Sequence, residues 1–106
     1  MFIYGRGYRG TVMTELAHFA TRIGDSFSVE VGLPEPLEIV LFEARPLARR
    51  PSGRREPFEL RFRGAGPYCL NQWTHRLRNP AMGELDIFLV PIAREDDHFV
   101  YQAVFN

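Results

Sequence analysis

The sequence predicts a mainly β fold: a small antiparallel β-barrel or roll of about six strands, with one N-terminal helix. Two observations carry this prediction. Apolar side chains recur at every second position in most of the chain after Gly24, which is the period of a strand with one buried face. Helical spacing occurs only before that residue, and turns containing Gly or Pro separate the alternating segments.

The predicted helix begins after Thr14, whose side chain suits the N-cap position. Apolar residues then follow at helical spacing and form one stripe, consisting of Leu16, Phe19, Ala20 and Ile23. Gly24 stands where a left-handed residue commonly ends a helix.

Alternation then predicts the strands, which are segments 27–31, 37–42, 58–63, 72–77, 83–92 and 99–105. Segment 46–57 has no apolar period and is predicted as a loop, and segment 93–98 is predicted as a hairpin connection.

The N-terminus contains a nucleotide-binding pattern without its context. Gly5, Gly7 and Gly10 form G-x-G-x-x-G, and Asp25 follows at about the distance of a ribose-binding acid. However, the run before Gly5 is too short for a buried parallel strand, and no helical period after residue 32 supplies a second crossover. We therefore expect no nucleotide cofactor.

The chain is predicted to have a flexible N-terminal extension, residues 1–12, and a single β domain, residues 13–106. The extension interleaves Tyr and Phe with Arg, a pattern that can stack on single-stranded nucleic acid, but the zero net charge favours no nucleic acid partner. No apolar run is long enough to span a membrane as a helix. A single cysteine, Cys69, is consistent with a reducing compartment, and we expect a cytoplasmic location.

The C-terminal segment GELDIFLVPIAREDDHFVYQAVFN resembles a small bacterial domain family of unknown function, whose members end in G-E-L-x-L-F-L-V-P-x, a polar turn and Y-x-A-V-F-N. Upstream, REPFELRFRG and QWTHRLRNPAMGELD are similar to the same family, so the resemblance covers about 13–106. Trp73 and His75 replace the family's Gly and Tyr. The resemblance implies no catalytic residue. It implies a binding or assembly role, through an association with phage-tail-collar-like proteins.

Residues with reactive or metal-binding side chains do not form a convincing catalytic or metal site. Cys69 and His75 are about 20 Å apart if both lie on one extended strand. The Glu95–Asp97 turn with His98 lacks the spacing of a calcium loop, and His18 has no partner at zinc-site spacing. Glu84 and Asp86 are predicted as the polar side of a half-exposed strand. We therefore expect no catalytic residue, no metal and no cofactor.

Charge is segregated along the chain. Seven Arg and two Glu lie between Arg45 and Arg63, whereas five acids and one Arg lie between Glu84 and Asp97. Complementary charged segments orient association more than they stabilise a fold.

We therefore predict a non-enzymatic protein-binding or assembly module, with a protein partner or weak homo-oligomerisation. The candidate partner-binding residues are Arg49, Arg50, Arg54, Arg55, Trp73, His75 and Arg76. A tryptophan in an alternating strand is more often a core residue than a binding residue. The alternative function is a small-ligand binder or enzyme with a pocket near Trp73 and His75.

Overall fold

The structure is a computed structural model that describes residues 4–6, 15–48 and 57–106. Within these ranges the chain forms one short helix and seven strands. In chain order they are β1 (Tyr4–Arg6), α1 (Leu16–Ala20), β2 (Ser26–Val29), β3 (Leu37–Pro46), β4 (Phe58–Ala65), β5 (Trp73–Asn79), β6 (Gly83–Glu95) and β7 (His98–Phe105).

Strands β2 to β7 form a closed antiparallel barrel, which confirms the predicted fold class. Neighbouring strands follow the order β6-β5-β2-β3-β4-β7, and the pairing of β7 with β6 closes the ring. Each pairing is antiparallel. The ring can close because β6 is long: its first half pairs with β5 and its second half pairs with β7.

β1 brings three residues of the predicted N-terminal extension into the sheet. Tyr4 to Arg6 pair with Asp86 to Glu84 of β6, on the edge that β5 does not use. Gly5 therefore lies within an antiparallel strand, and not after the buried parallel strand that a dinucleotide-binding fold requires. Residues 1–3 and 7–14 lie outside the described residues, and the flexibility of the whole extension stays a prediction.

The barrel interior is filled by the residues that alternate inward along each strand. In β4 these are Phe58, Leu60 and Phe62, and each is fully buried. The other strands contribute Phe27, Val29, Ile39, Leu41, Leu77, Leu85, Ile87, Leu89, Tyr101, Ala103 and Phe105. Burial of large side chains at these positions is the main stabilising contribution expected for the fold.

The helix covers one end of the barrel with a buried Phe19 and a partly buried Leu16 that packs against the core. Phe19 is fully buried, and its ring centroid lies 6.0 Å from that of Phe58 and 5.7 Å from that of Phe105. The predicted apolar stripe is wrong for Ala20 and Ile23, which are exposed. α1 is only five residues long, and Phe19 is its one fully buried residue.

The structure tests the predicted end of the helix but not its predicted start. The predicted cap, Thr14, lies outside the described residues, and Glu15 precedes the helix without a side-chain cap hydrogen bond. Gly24 has a φ of +97°, as expected for the left-handed residue after a helix.

The opposite end of the barrel is closed by Leu70, in the connection between β4 and β5. Leu70 is buried, and its backbone N–H donates to the Tyr101 hydroxyl at 3.0 Å. Burial raises the pKa of Tyr101 to about 12, so the hydroxyl stays protonated at neutral pH. The hydroxyl thus satisfies a backbone group that the connection buries.

The two barrel ends differ in the segments that form them. We call one the acidic end; it consists of the connections 30–36, 66–72 and 96–97. We call the other the helix end; it consists of segment 15–25, the described ends of connection 47–57 and the turn 80–82.

Candidate interaction surface at the acidic end

Trp73 is the most exposed of the large apolar side chains in the part of the chain that the structure describes, with 65% of its surface accessible. It lies at the start of β5 and pairs with the buried Leu89 of β6. The expectation that Trp73 belongs to the core is wrong: β2 ends at Val29, and none of the described strands continues beside Trp73 to cover it.

One edge of β5 lacks a strand partner near Trp73. β6 pairs with β5 along its whole length, but β2 pairs only with Leu77 and Arg78. One further hydrogen bond, 3.3 Å long, joins the Glu30 N–H to the Arg76 carbonyl. Before Arg76, the edge of β5 that faces β2 has no partner among the described strands. Such an edge can accept hydrogen bonds from another chain.

His75 and Arg76, the other two described candidates for partner binding, already have partners within the chain. His75 Nε2 lies 2.8 Å from the Asn71 carbonyl oxygen. Arg76 donates to both carboxylate oxygens of Asp86, at 3.0 and 3.4 Å, and this hydrogen bonding raises the pKa of Arg76. Of the three candidates on β5, Trp73 leaves the largest surface for a partner.

Further exposed apolar side chains lie at the same end as Trp73. Leu33 is in the connection from β2 to β3, and Tyr68 is in the connection from β4 to β5. Ile92 is the bulged residue of β6, three positions beyond the residue that pairs with Trp73. We call these four residues the exposed apolar set. The fifth exposed large apolar residue in the described ranges, Ile23, lies at the helix end.

The connections at this end are negatively charged. They contain Glu30, Glu35, Asp96 and Asp97 and no arginine. The Asp97 side chain is 99% exposed. Glu35 and Asp96 have no ion pair within the described ranges, and Asp96 adopts a φ of 53°, which Asp and Asn tolerate. Glu30, by contrast, pairs with Arg78, and Asp97 lies beside His98. The end therefore combines apolar side chains with two carboxylates, those of Glu35 and Asp96, that have no ion pair within the described ranges.

A pocket of about 370 Å³ opens between the β6–β7 turn and the start of the β4–β5 connection. Its lining residues are Gly66, Pro67, Arg94, Asp96, Asp97 and Phe99. The turn and the connection are held together by a 2.6 Å hydrogen bond from the Gly66 N–H to the Asp97 carbonyl. The Arg94 guanidinium lies 5.7 Å from the Phe99 ring centroid. Carboxylates beside an aromatic ring are suited to a cationic side chain.

The four candidate arginines at 49, 50, 54 and 55 lie outside the described residues. The residues that flank them are at the helix end, where the Leu47 N–H donates to the Pro57 carbonyl at 2.9 Å. The arginine-containing connection therefore begins and ends at the opposite end of the barrel from Trp73. For these four arginines the partner-binding role stays a prediction.

Most charged residues of the barrel wall are paired. Arg78 bonds to Glu84 at 2.8 Å and to Glu30 at 3.3 Å, next to the Arg76–Asp86 pair. This confirms Glu84 and Asp86 as the polar side of a strand.

One wall carboxylate, Glu59 of β4, is buried, with 1% exposure. It accepts hydrogen bonds from Arg45 and from Gln102, the latter at 2.6 Å. Burial acts to raise the pKa of Glu59, but the hydrogen bonds from Gln102 and Arg45 and the charge of Arg61 outweigh it, so the pKa lies below its usual value.

The remaining reactive side chains are engaged locally. Cys69 is a free thiol whose Sγ lies 3.5 Å from the Leu70 carbonyl oxygen, whereas His75 contacts Asn71. His98 Nε2 lies 3.2 Å from Glu95 Oε1, and His98 Nδ1 lies 3.6 Å from Asp97 Oδ1. In the described ranges no three His, Cys, Asp or Glu side chains are grouped so that they could hold a metal ion.

Two further pockets lie elsewhere on the domain. One, of about 300 Å³, lies between α1 and the β5–β6 turn, and the buried Nδ1 of His18 in its lining has no hydrogen-bond partner among the described residues. The other, of about 410 Å³, lies beside Arg78 and Glu84 on the wall. Neither these two pockets nor the one at the acidic end is lined by Trp73 or His75.

Comparison with known protein families assigns most of the chain to one family. Residues 14–105 match the family described as Domain of unknown function, DUF6916. The chain belongs to this family. The match agrees with the resemblance to a domain family of unknown function, and it leaves β1 outside the DUF6916 domain. No curated protein and no solved structure is significantly similar to the chain.

The sequence contains no apolar run long enough for a membrane-spanning helix. Among the described residues, no helix of the DUF6916 domain has the length and apolar character that a membrane span requires.

Sequence reasoning missed Leu33, Tyr68 and Ile92 as surface residues. Leu33 stands between Gly32 and Pro34, and an apolar residue inside a turn is a signal that the sequence offers. Tyr68 and Ile92 carry no such signal, because their exposure depends on where the β4–β5 connection crosses the barrel and on the bulge in β6.

Proposed function

We propose that this DUF6916 domain is a non-enzymatic protein-binding module whose partner docks on the acidic end, with Trp73 as the central contact residue. The observation that carries the proposal is the 65% exposure of Trp73 beside a strand edge that has no partner among the described strands. Tryptophan is enriched among the residues that dominate binding energy at protein interfaces. An exposed tryptophan with further apolar residues at the same barrel end is therefore better explained by a partner than by the fold.

The charge of the acidic end supports a partner with a particular chemistry. Glu35, Asp96 and Asp97 lie at the same barrel end as the exposed apolar set, so the surface favours a segment that combines basic and apolar side chains. The setting that we propose is an assembly such as a phage tail or surface structure, and the support for this setting is the sequence resemblance. The cytoplasmic location of the chain belongs to the same proposal.

The test compares Trp73→Ser with a matched control, Ile23→Ser. Both substitutions remove an exposed apolar side chain, but Ile23 lies at the helix end. Each variant is expected to change the free energy of unfolding by less than ~0.5 kcal/mol, because neither side chain is buried. Immobilised wild-type chain, Trp73→Ser and Ile23→Ser are exposed to extract of the source organism, and the retained proteins are quantified by mass spectrometry.

The proposal expects a protein that is retained by the wild type and by Ile23→Ser, and lost with Trp73→Ser. Retention of the same proteins by all three chains would contradict it. A folded Trp73→Ser variant, verified by thermal unfolding, ensures that the loss reports on the surface.

A further inference from the structure

The acidic connections and the two ends of an arginine-containing connection lie at opposite ends of the barrel. The connections of the acidic end hold four carboxylates and no arginine, whereas the sequence of connection 47–57 holds four arginines and one glutamate. The strand order and the Leu47–Pro57 hydrogen bond place the two ends of connection 47–57 at the helix end.

The two ends of the arginine-containing connection are held far from the acidic turn. Leu47 and Pro57 are joined by a hydrogen bond at the helix end. From Phe58 to Ala65, β4 spans roughly 23 Å, and the Asp97 turn lies beyond it. This separation favours a contact between two molecules over a contact within one.

We propose that the acidic end receives residues 49–55 of a second copy of this chain, in a head-to-tail contact. This inference rests on the proposed function, since it uses the same surface and names the partner. An arginine of the second copy fits the pocket at this end: its guanidinium lies between the carboxylates of Asp96 and Asp97, and its aliphatic stem contacts Pro67 and Phe99. Arg94 on the pocket wall leaves the lining with one net negative charge.

A contact of this kind does not close on itself. Each bound copy still has one unoccupied acidic end and one unoccupied arginine segment, so association continues beyond two copies into a ring or an open chain. The contact is weak and depends on salt, because exposed charge pairs contribute little and are screened at high ionic strength. Trp73, Leu33, Tyr68 and Ile92 supply the apolar part of the contact, which salt does not screen.

The first measurement is the mass of the wild-type chain by light scattering and sedimentation over a range of protein concentrations. At about 0.01 M salt, where charges act over roughly 30 Å, we expect species larger than a dimer, and at about 1 M salt we expect smaller species. A chain that is monomeric at every salt concentration overturns the inference. So does an association that stops at two copies.

The decisive measurement mixes two variants. In one, Asp96→Asn and Asp97→Asn remove the acidic turn, and Asn suits the φ of 53° at position 96. In the other, the arginines at 49, 50, 54 and 55 are changed to Ser. We expect each variant alone to be monomeric and an equimolar mixture to form a 1:1 pair, because one intact acidic end and one intact arginine segment remain. A mixture that stays monomeric while the wild type associates overturns the head-to-tail geometry.

Two single substitutions control for net charge. Asp97→Asn and Glu15→Gln each remove one exposed carboxylate, but Glu15 lies at the helix end. We expect Asp97→Asn to weaken association by roughly two- to fivefold, and Glu15→Gln not to weaken it. Equal weakening by both variants contradicts the inference. If self-association is absent but Trp73→Ser still loses a captured protein, the inference fails and the proposed function stands.

Discussion

Replacement of Asn79 tests how the helix end of the barrel is held together. Asn79 is buried at the end of β5, and its side chain makes four hydrogen bonds. Nδ2 donates to Asp25 Oδ2 at 3.2 Å and to the Ser26 carbonyl at 3.1 Å. Oδ1 accepts from the Ala81 N–H at 2.8 Å and from the Met82 N–H at 3.1 Å. This one amide joins β5, the β5–β6 turn and the start of β2.

The magnitude follows from these four bonds. Each contributes about 1 kcal/mol net, and water can replace the bond to the exposed Ala81. We therefore expect Asn79→Ala to lower the free energy of unfolding by about 2–4 kcal/mol. Asn79→Asp has nearly the same shape and keeps the two accepted bonds. It turns both donors into acceptors that face the Ser26 carbonyl and the Asp25 carboxylate, so we expect a loss of about 3–5 kcal/mol at pH 7.

The loss in Asn79→Asp depends on pH in a known direction. Repulsion from Asp25 raises the pKa of the new carboxyl in the folded state above its value in the unfolded chain. Between these two pKa values the folded state binds more protons, so the variant regains stability as the pH falls through them. Asn79→Ala has no such group, and the difference between the two variants cancels the titration of all other residues.

The assay is urea unfolding of both variants and the wild type at pH 7 and pH 4, with the slope of the transition checked for constancy. We expect the stability of Asn79→Asp relative to Asn79→Ala to increase at pH 4. An unchanged difference, or an Asn79→Asp chain within ~0.5 kcal/mol of the wild type at pH 7, would refute the assigned hydrogen bonds.

Three further predictions concern the core and the N-terminus. Phe105→Ala should lower the unfolding free energy by about 3–5 kcal/mol in urea, since the ring is 2% exposed and stacks at 4.6 Å between centroids on another core ring; a loss under ~1 kcal/mol would contradict its place in the core. Gly64→Ala should cost about 1–3 kcal/mol, because its Cβ would lie 2.8 Å from Ile39 Cγ2; an unchanged midpoint would show that the site has room. Deletion of residues 1–12 should leave a domain that unfolds cooperatively with a loss below ~2 kcal/mol, despite the three paired residues of β1; a larger loss in thermal unfolding would show that this segment is part of the fold.

The sequence was sufficient for the inward faces of the strands but not for the limits of the core. Alternation correctly identified Phe58, Leu60 and Phe62 as inward residues, because a period of two has the same meaning in any half-buried strand. The same reasoning failed for Trp73, since its burial depends on whether the neighbouring strand continues that far. It also failed for Glu59, which occupies an outward position yet is buried by residues distant in sequence.

The candidate surface was less predictable for a related reason. Which connections share a barrel end is decided by strand order, and the order β6-β5-β2-β3-β4-β7 cannot be read from periodicity. The helix stripe shows the same limit: spacing indicates which residues share a helix face, but α1 is too short to bury more than Phe19 fully.

The charges of the barrel wall and those of its ends have different physical explanations. On the wall, opposite charges face each other across neighbouring strands, as in the Arg76–Asp86 pair, and such pairs stabilise the sheet locally. At the acidic end, Glu35 and Asp96 have no ion pair within the described ranges, and the Asp97 side chain is almost fully exposed. Like charges without partners repel one another and do not favour folding. The proposed association accounts for their concentration at the same end as exposed apolar side chains, and it predicts that substitutions at the barrel ends, not on the wall, change partner binding.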